Sequence, residues 1–210
     1  MRFKHIVWDY DGTLFDTYPI MSAVYRDVLR EWGITESTDN ILSYMKVSMG
    51  HTHKYFKEQY NLDDSFFERY KLLVEKAAIE NTKPFPGINK LCEDICNNGG
   101  WNYIFTHRDS SALYVVEKYG LTDCFTEIIT SEQNFPRKPD PGAVIYLLNK
   151  YNIPEDEAIM IGDREIDISS AKNAGLRTCY FADGEKPLDI ADFTINSFAE
   201  LYKILEIDDK

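Results

Sequence analysis

The sequence predicts an α/β fold: a Rossmann-like core with a mostly parallel central sheet flanked by helices, interrupted by an inserted all-helical cap domain. Three observations carry this. Short, continuous apolar runs recur along the chain with helical patterns between them. Glycine and asparagine stop signals close several of those helical stretches. From residue 16 to 83 the alternation gives way to helical periodicity alone.

The first strand is read near 3–8, "FKHIVW". Further strands fall at "YIFT" (103–106), "EIIT" (127–130), "AIMIG" (158–162), "RTCYF" (177–181) and "DFTI" (192–195). Helices are expected near 87–97, 110–119, 140–151, 166–174 and 197–206, with "NNGG" after Cys96, Gly120 and Gly175 as terminators. In the insert, Val24, Val28, Leu29 and Trp32 form one stripe, with Thr17 as N-cap and Gly33 as stop. Helical stretches follow near 38–47 and 52–60, then a longer one through "DDSFFERYKLLVEKAAIEN". The division expected is residues 1–15 with 84–210 as catalytic core and 16–83 as cap. One undivided core is the plainer alternative, which the abrupt change of period disfavours.

The chain's 210 residues, 44% hydrophobic and 14% aromatic, suffice for a packed core. A net charge of −12 repels nucleic acid and anionic lipid, so neither is expected as a partner. Cys92, Cys96, Cys124 and Cys179 lack the spacing of a metal site and read as free thiols, and the reading is cytoplasmic. An anionic substrate would need a local site of opposite sign.

In open parallel sheets, function gathers at the carboxyl ends of strands, and polar clusters sit at several such ends. In "DYDGT", Asp9 and Asp11 are two apart and point the same way along an extended chain, with Gly12 allowing a sharp turn. Carboxylates this close call for a cation between them or for one protonated partner; an Asp-Gly turn with a helix cap is the structural reading. In "IFTHRD", Thr106 ends a strand before a helix N-terminus, which suits phosphate oxygens or simply terminates the strand. "PRKPDPG" holds Lys138 in a stiff loop, with Arg137 an equally basic candidate. "IMIGDREID" sets Asp163 after a strand and Asp167 four residues on, oxygen ligands suited to a hard cation or acids at a helix start. Taken singly, only the first is persuasive; the ordered set decides.

In that order, "DYDGT", Thr106, Lys138 and "GDREID" resemble the motifs of haloacid-dehalogenase-superfamily hydrolases over essentially the whole chain. The helical insert is similar to the cap of the phosphoglycolate-phosphatase-like and β-phosphoglucomutase-like branch. The resemblance implies a phosphatase with Asp9 as nucleophile and Asp11 as general acid and base. It implies Mg2+ held by Asp9, the Asp11 carbonyl and Asp163, with Asp167 in support. Thr106 and Lys138 would bind phosphate oxygens together with the amides after Asp9 and Thr106, Gly12 and Thr13 shaping that loop. A carboxylate at position 11 argues for phosphate esters, because dehalogenases and phosphonatases lack it. In the cap, "KVSMGHTHKYF" (46–56) aligns with the family's specificity loop, with Gly50 at the bend. Lys46, His51, His53 and Lys54 become candidate substrate contacts or solvent-facing residues; His107 and Arg108 are others. The expected partner is a small phosphorylated metabolite, the expected state a monomer or weak homodimer. A phosphomutase acting on a sugar phosphate is the alternative, and a non-catalytic phosphate-binding regulator a third.

Overall fold

The computed structural model describes residues 1–207. It divides into two compact units, Met1–Phe15 with the chain from Pro84 onward, and Asp16–Lys83. In chain order, β1 (His5–Trp8) and the two-residue β2 (Phe15–Asp16) precede α1 (Tyr18–Glu31), α2 (Thr38–Val47), α3 (Met49–Tyr60) and α4 (Asp64–Asn81). The two-residue β3 (Lys83–Pro84) leads to α5 (Ile88–Asn97), β4 (Trp101–Phe105), α6 (Ser111–Lys118), β5 (Phe125–Ile129) and α7 (Gly142–Tyr151). Then follow β6 (Ala158–Gly162), α8 (Glu165–Asn173), β7 (Arg177–Phe181), β8 (Phe193–Ile195) and α9 (Ala199–Leu205).

The larger unit is built on a parallel sheet ordered β5-β4-β1-β6-β7-β8. Strand β6, AIMIG, reads as an unbroken apolar run because both its faces are covered. Ile6, Trp8, Ile104, Ile159 and Ile161 pack on one side with Ile88, Leu91, Val115 and Leu201. Val7, Tyr103, Phe105 and Met160 pack on the other with Val144, Leu147, Ala171 and Leu176. Each such side chain contributes about 1.5–3 kcal/mol by leaving water. The register sets Trp8 beside both Ile104 and Ile161, so β1, β4 and β6 end at one level. From β1 the chain steps outward to β4 and β5, then returns to β6 on β1's other side. The β1–β6 boundary is therefore the point where the winding reverses, the place where open sheets bind ligands.

The smaller unit is helical. Tyr25 lies at its centre, its ring 4.8–5.3 Å from those of Phe56, Phe66 and Tyr70. Val28 and Leu29 of the expected stripe are fully buried, while Trp32 is 37% exposed and meets Phe66 edge-on. Thr17 occupies the N-cap position of α1 without capping through its side chain. Helix α3 starts at Met49, earlier than its periodicity suggests, because Ser48 is extended and its hydroxyl accepts from the His51 amide. The bend therefore falls at Ser48, and Gly50, expected there, is helical.

Candidate active site

Asp9 leaves β1 with its amide donating to the Ile161 carbonyl at 2.9 Å, which holds it beside the end of β6. Gly12 adopts a φ of +77°, a left-handed turn that returns the chain at once, its amide bonding to the Phe15 carbonyl. Thr13, fully buried, donates to Asp163 Oδ1 at 3.3 Å and so ties the loop after β1 to the loop after β6. Asp9, Asp163 and Asp167 present carboxylate oxygens within 4.8 Å of one another, all buried.

Lys138 arrives from the loop before α7. Its ammonium is completely buried, 2.5 Å from Asp9 Oδ1 and 2.8 Å from Asp167 Oδ1. Burial opposes its charge, yet Asp167 and Asp9 outweigh that and hold the ammonium above its ordinary pKa. Asp167 titrates low in spite of burial, because Lys138 and Arg164 surround it. Asp9 moves the other way, up to about 7, through burial and the Asp167 and Asp163 charges. The three carboxylates thus still lack positive charge after Lys138 is counted.

Residues 106–108 do separate jobs. Thr106 follows β4, is buried, and its hydroxyl accepts from the Arg108 amide at 3.1 Å. The Arg108 guanidinium donates to Asp11 Oδ1 at 2.7 Å, so Asp11 faces Arg108 and stands outside the carboxylate cluster. His107 receives the Lys138 amide on Nε2 at 3.0 Å. Burial, then Lys138, Arg137 and Arg164, push its pKa down to about 3, so it is a neutral acceptor.

Arg164 escaped notice in the sequence. It sits between Asp163 and Asp167 with its guanidinium 3.6 Å from Asp9 Oδ2, 4.0 Å from Asp163 Oδ1 and 3.5 Å from Asp167 Oδ2. A signal existed: a cation at the start of a helix opposes the dipole, which favours acids there, so its presence points to neighbouring negative charge. Lys46 and His51 belong to the helical unit. Lys46 lies over the Tyr18 ring at 4.8 Å, and His51 stacks on Tyr44 at 5.7 Å.

The residues fit a hard divalent cation. Asp9 Oδ2 is buried without a hydrogen-bond donor, the donors are all carboxylate oxygens, and the cluster is short of positive charge. Asp167 is already engaged through both oxygens, one by Lys138 and the other by the Arg164 amide at 3.1 Å. Its geometry is that of a support for Lys138 more than of a free ligand. A surface hollow of about 650 Å³ lies elsewhere, along the end of α7 by Asn152, Glu155 and Gly175, and shares no residue with this cluster.

The chain is similar to several known proteins along most of its length. The chain is 27% identical over 209 residues to a phosphoglycolate phosphatase of Aquifex aeolicus, covering 96% of each. It is 30% identical to a phosphoglycolate phosphatase of Rhodobacter capsulatus, over 88% of this chain and 87% of that one. The crystal structure of a hydrolase from Streptococcus pneumoniae superposes with a TM-score of 0.67 at 32% identity, covering 99% of this chain and 100% of that one. The profile of the haloacid dehalogenase-like hydrolases matches residues 6–181, and the chain belongs to that family.

Proposed function

We propose that the protein is a Mg2+-dependent phosphatase that hydrolyses a small-molecule phosphate monoester through an aspartyl-phosphate intermediate. The observation that carries this is the buried convergence of Asp9 after β1, Lys138 before α7, Asp163 after β6 and Asp167 in the first turn of α8. The names of the curated relatives support a small phosphorylated metabolite as substrate.

In this reading Asp9 attacks phosphorus through a carboxylate oxygen, and the ester oxygen departs with a proton from Asp11. Water then opens the acyl phosphate, with Asp11 taking its proton. Arg108, already bonded to Asp11, orients that carboxyl. Thr106 and Lys138 bind the non-bridging oxygens, and His107 fixes Lys138 through its amide. Asp9, Asp163 and the Asp11 carbonyl would hold Mg2+, which supplies charge neutralisation between nucleophile and phosphate. Enzymes accelerate such hydrolyses by up to ~10²¹, whereas one oxyanion donor is worth only about 3–4 kcal/mol; a covalent step, a metal and several donors must act together. The Asp16–Lys83 unit is the cap in this reading, with Lys46 and His51 as contacts to the leaving group.

Asp9→Asn is expected to lower turnover at least a thousandfold with an unchanged circular dichroism spectrum. EDTA is expected to abolish release of inorganic phosphate across a panel of phosphate esters, and Mg2+ to restore it. Undiminished turnover in either case removes the corresponding part of the mechanism. A phosphomutase would return an isomerised sugar phosphate instead of inorganic phosphate.

A further inference from the structure

We propose that Arg164 is an exchangeable counter-cation: without a divalent ion its guanidinium neutralises the carboxylate oxygens that such an ion would take, and it gives them up when the ion binds. This rests on the metal reading above and adds to it a competitor encoded beside the ligands.

The two cations divide the carboxylate oxygens. Lys138 takes Oδ1 of Asp9 and Oδ1 of Asp167 at 2.5 and 2.8 Å, true charge-assisted hydrogen bonds. Arg164 faces the remaining set, Asp9 Oδ2, Asp163 Oδ1 and Asp167 Oδ2, at 3.5–4.0 Å. Those separations exceed ordinary N–H···O distances, so the attraction is ionic and loosely directional. One cation is locked and the other is parked.

The parked position coincides with the oxygens open to a metal. Asp9 Oδ2 has no hydrogen-bond donor, and Asp163 Oδ1 receives the Thr13 hydroxyl at 3.3 Å and faces Arg164 at 4.0 Å. A guanidinium and a divalent ion cannot share these oxygens, since like charges about 4 Å apart in a site of low dielectric repel strongly. For Arg164 the charge and the backbone are separable. Its backbone is fixed at the head of α8 by the bond from its amide to Asp167, while a long side chain carries the charge. A side chain 10% exposed has a route toward solvent or toward an incoming anion.

Two consequences follow from linkage. Arg164 stabilises the metal-free protein by covering buried like charges, and for the same reason it weakens metal affinity. Removing it should do the opposite on both counts. An Arg164 that stayed in place would also repel the ion, so movement of its guanidinium when Mg2+ binds is what marks exchange.

The test is titration of the whole protein with Mg2+ alone by calorimetry, with melting in EDTA, for wild type, Arg164→Met and Arg164→Lys. Arg164→Met is expected to bind Mg2+ about tenfold more tightly, equivalent to about 1.4 kcal/mol, and to melt lower in EDTA. Arg164→Lys, which keeps the charge, is expected to stay within about threefold of wild type. Unchanged or weaker Mg2+ binding by Arg164→Met, with wild type binding normally, overturns the inference and leaves the phosphatase reading intact. Failure of wild type to bind Mg2+ overturns both. The Arg164 Nε–H resonance of wild type separates exchange from fixed repulsion, and decides alone should Arg164→Met not fold: a saturable shift on adding Mg2+ supports exchange, and an unmoved resonance overturns it.

Discussion

His107 illustrates how a residue adjacent to the chemistry can act through another. Its Nε2 accepts the Lys138 amide at 3.0 Å, and that bond exists only while the ring is neutral. The folded pKa is about 3 against an ordinary 6.5, lowered by burial and then by Lys138, Arg137 and Arg164, with Asp167 alone opposing. Since the folded value is the lower one, the unfolded chain binds the proton first as pH falls. Stability is complete above pH 6.5 and declines below it, by at most about 1.4 kcal/mol per pH unit. His107→Gln offers a neutral acceptor that does not titrate. Urea unfolding should show wild type and variant within about 1 kcal/mol at pH 8, with wild type losing up to about 2 kcal/mol relative to the variant by pH 5. A gap that does not change with pH would remove His107 as the source.

At the level of elements, strand ends and helix starts are coupled through very little space. Gly162 closes β6, and a Cβ built there would lie 2.4 Å from Asp167 Cβ and 2.9 Å from its Cγ. Asp167 cannot step aside, because Lys138 and the Arg164 amide hold its two oxygens. Gly162→Ala must therefore push the first turn of α8 away from β6. The expected cost is about 1–3 kcal/mol of stability, with turnover lost beyond that because Lys138 loses its support. A conservative change that left both intact would mean α8 yields easily. The glycine was visible in the sequence only as the residue before Asp163; its reason is visible only in three dimensions. The strands were legible because burial on both faces writes continuous apolar runs, as at "AIMIG". Helix α3 was misread at its start because Gly50 resembles a breaker, whereas the Ser48 hydroxyl caps a helix that begins at Met49, three residues before the expected start. The polar clusters could be assigned to strand ends by position. Which side chains pair could not, since Arg108 on Asp11, His107 on Lys138 and Arg164 among the acids depend on loop paths that no periodicity encodes.

For the molecule as a whole, two kinds of negative charge are superimposed and can be separated. The net charge of −12 is spread over the surface and is relieved by any salt, because screening shortens to about 10 Å at 0.1 M. The buried trio of Asp9, Asp163 and Asp167 is shielded from that atmosphere and calls for a specific cation. NaCl and MgCl2 at matched ionic strength should therefore both raise the melting temperature, Mg2+ by more. At a hundredfold excess over its dissociation constant Mg2+ contributes about 2.7 kcal/mol, or roughly 5–10 °C for a chain of this size. Asp163→Asn removes a ligand while keeping shape and the bond from Thr13, so it should abolish the excess due to Mg2+ and leave the NaCl response unaltered. If instead both salts act identically on wild type, the stabilisation is surface screening alone, and the buried acids hold their charge with Lys138 and Arg164 only.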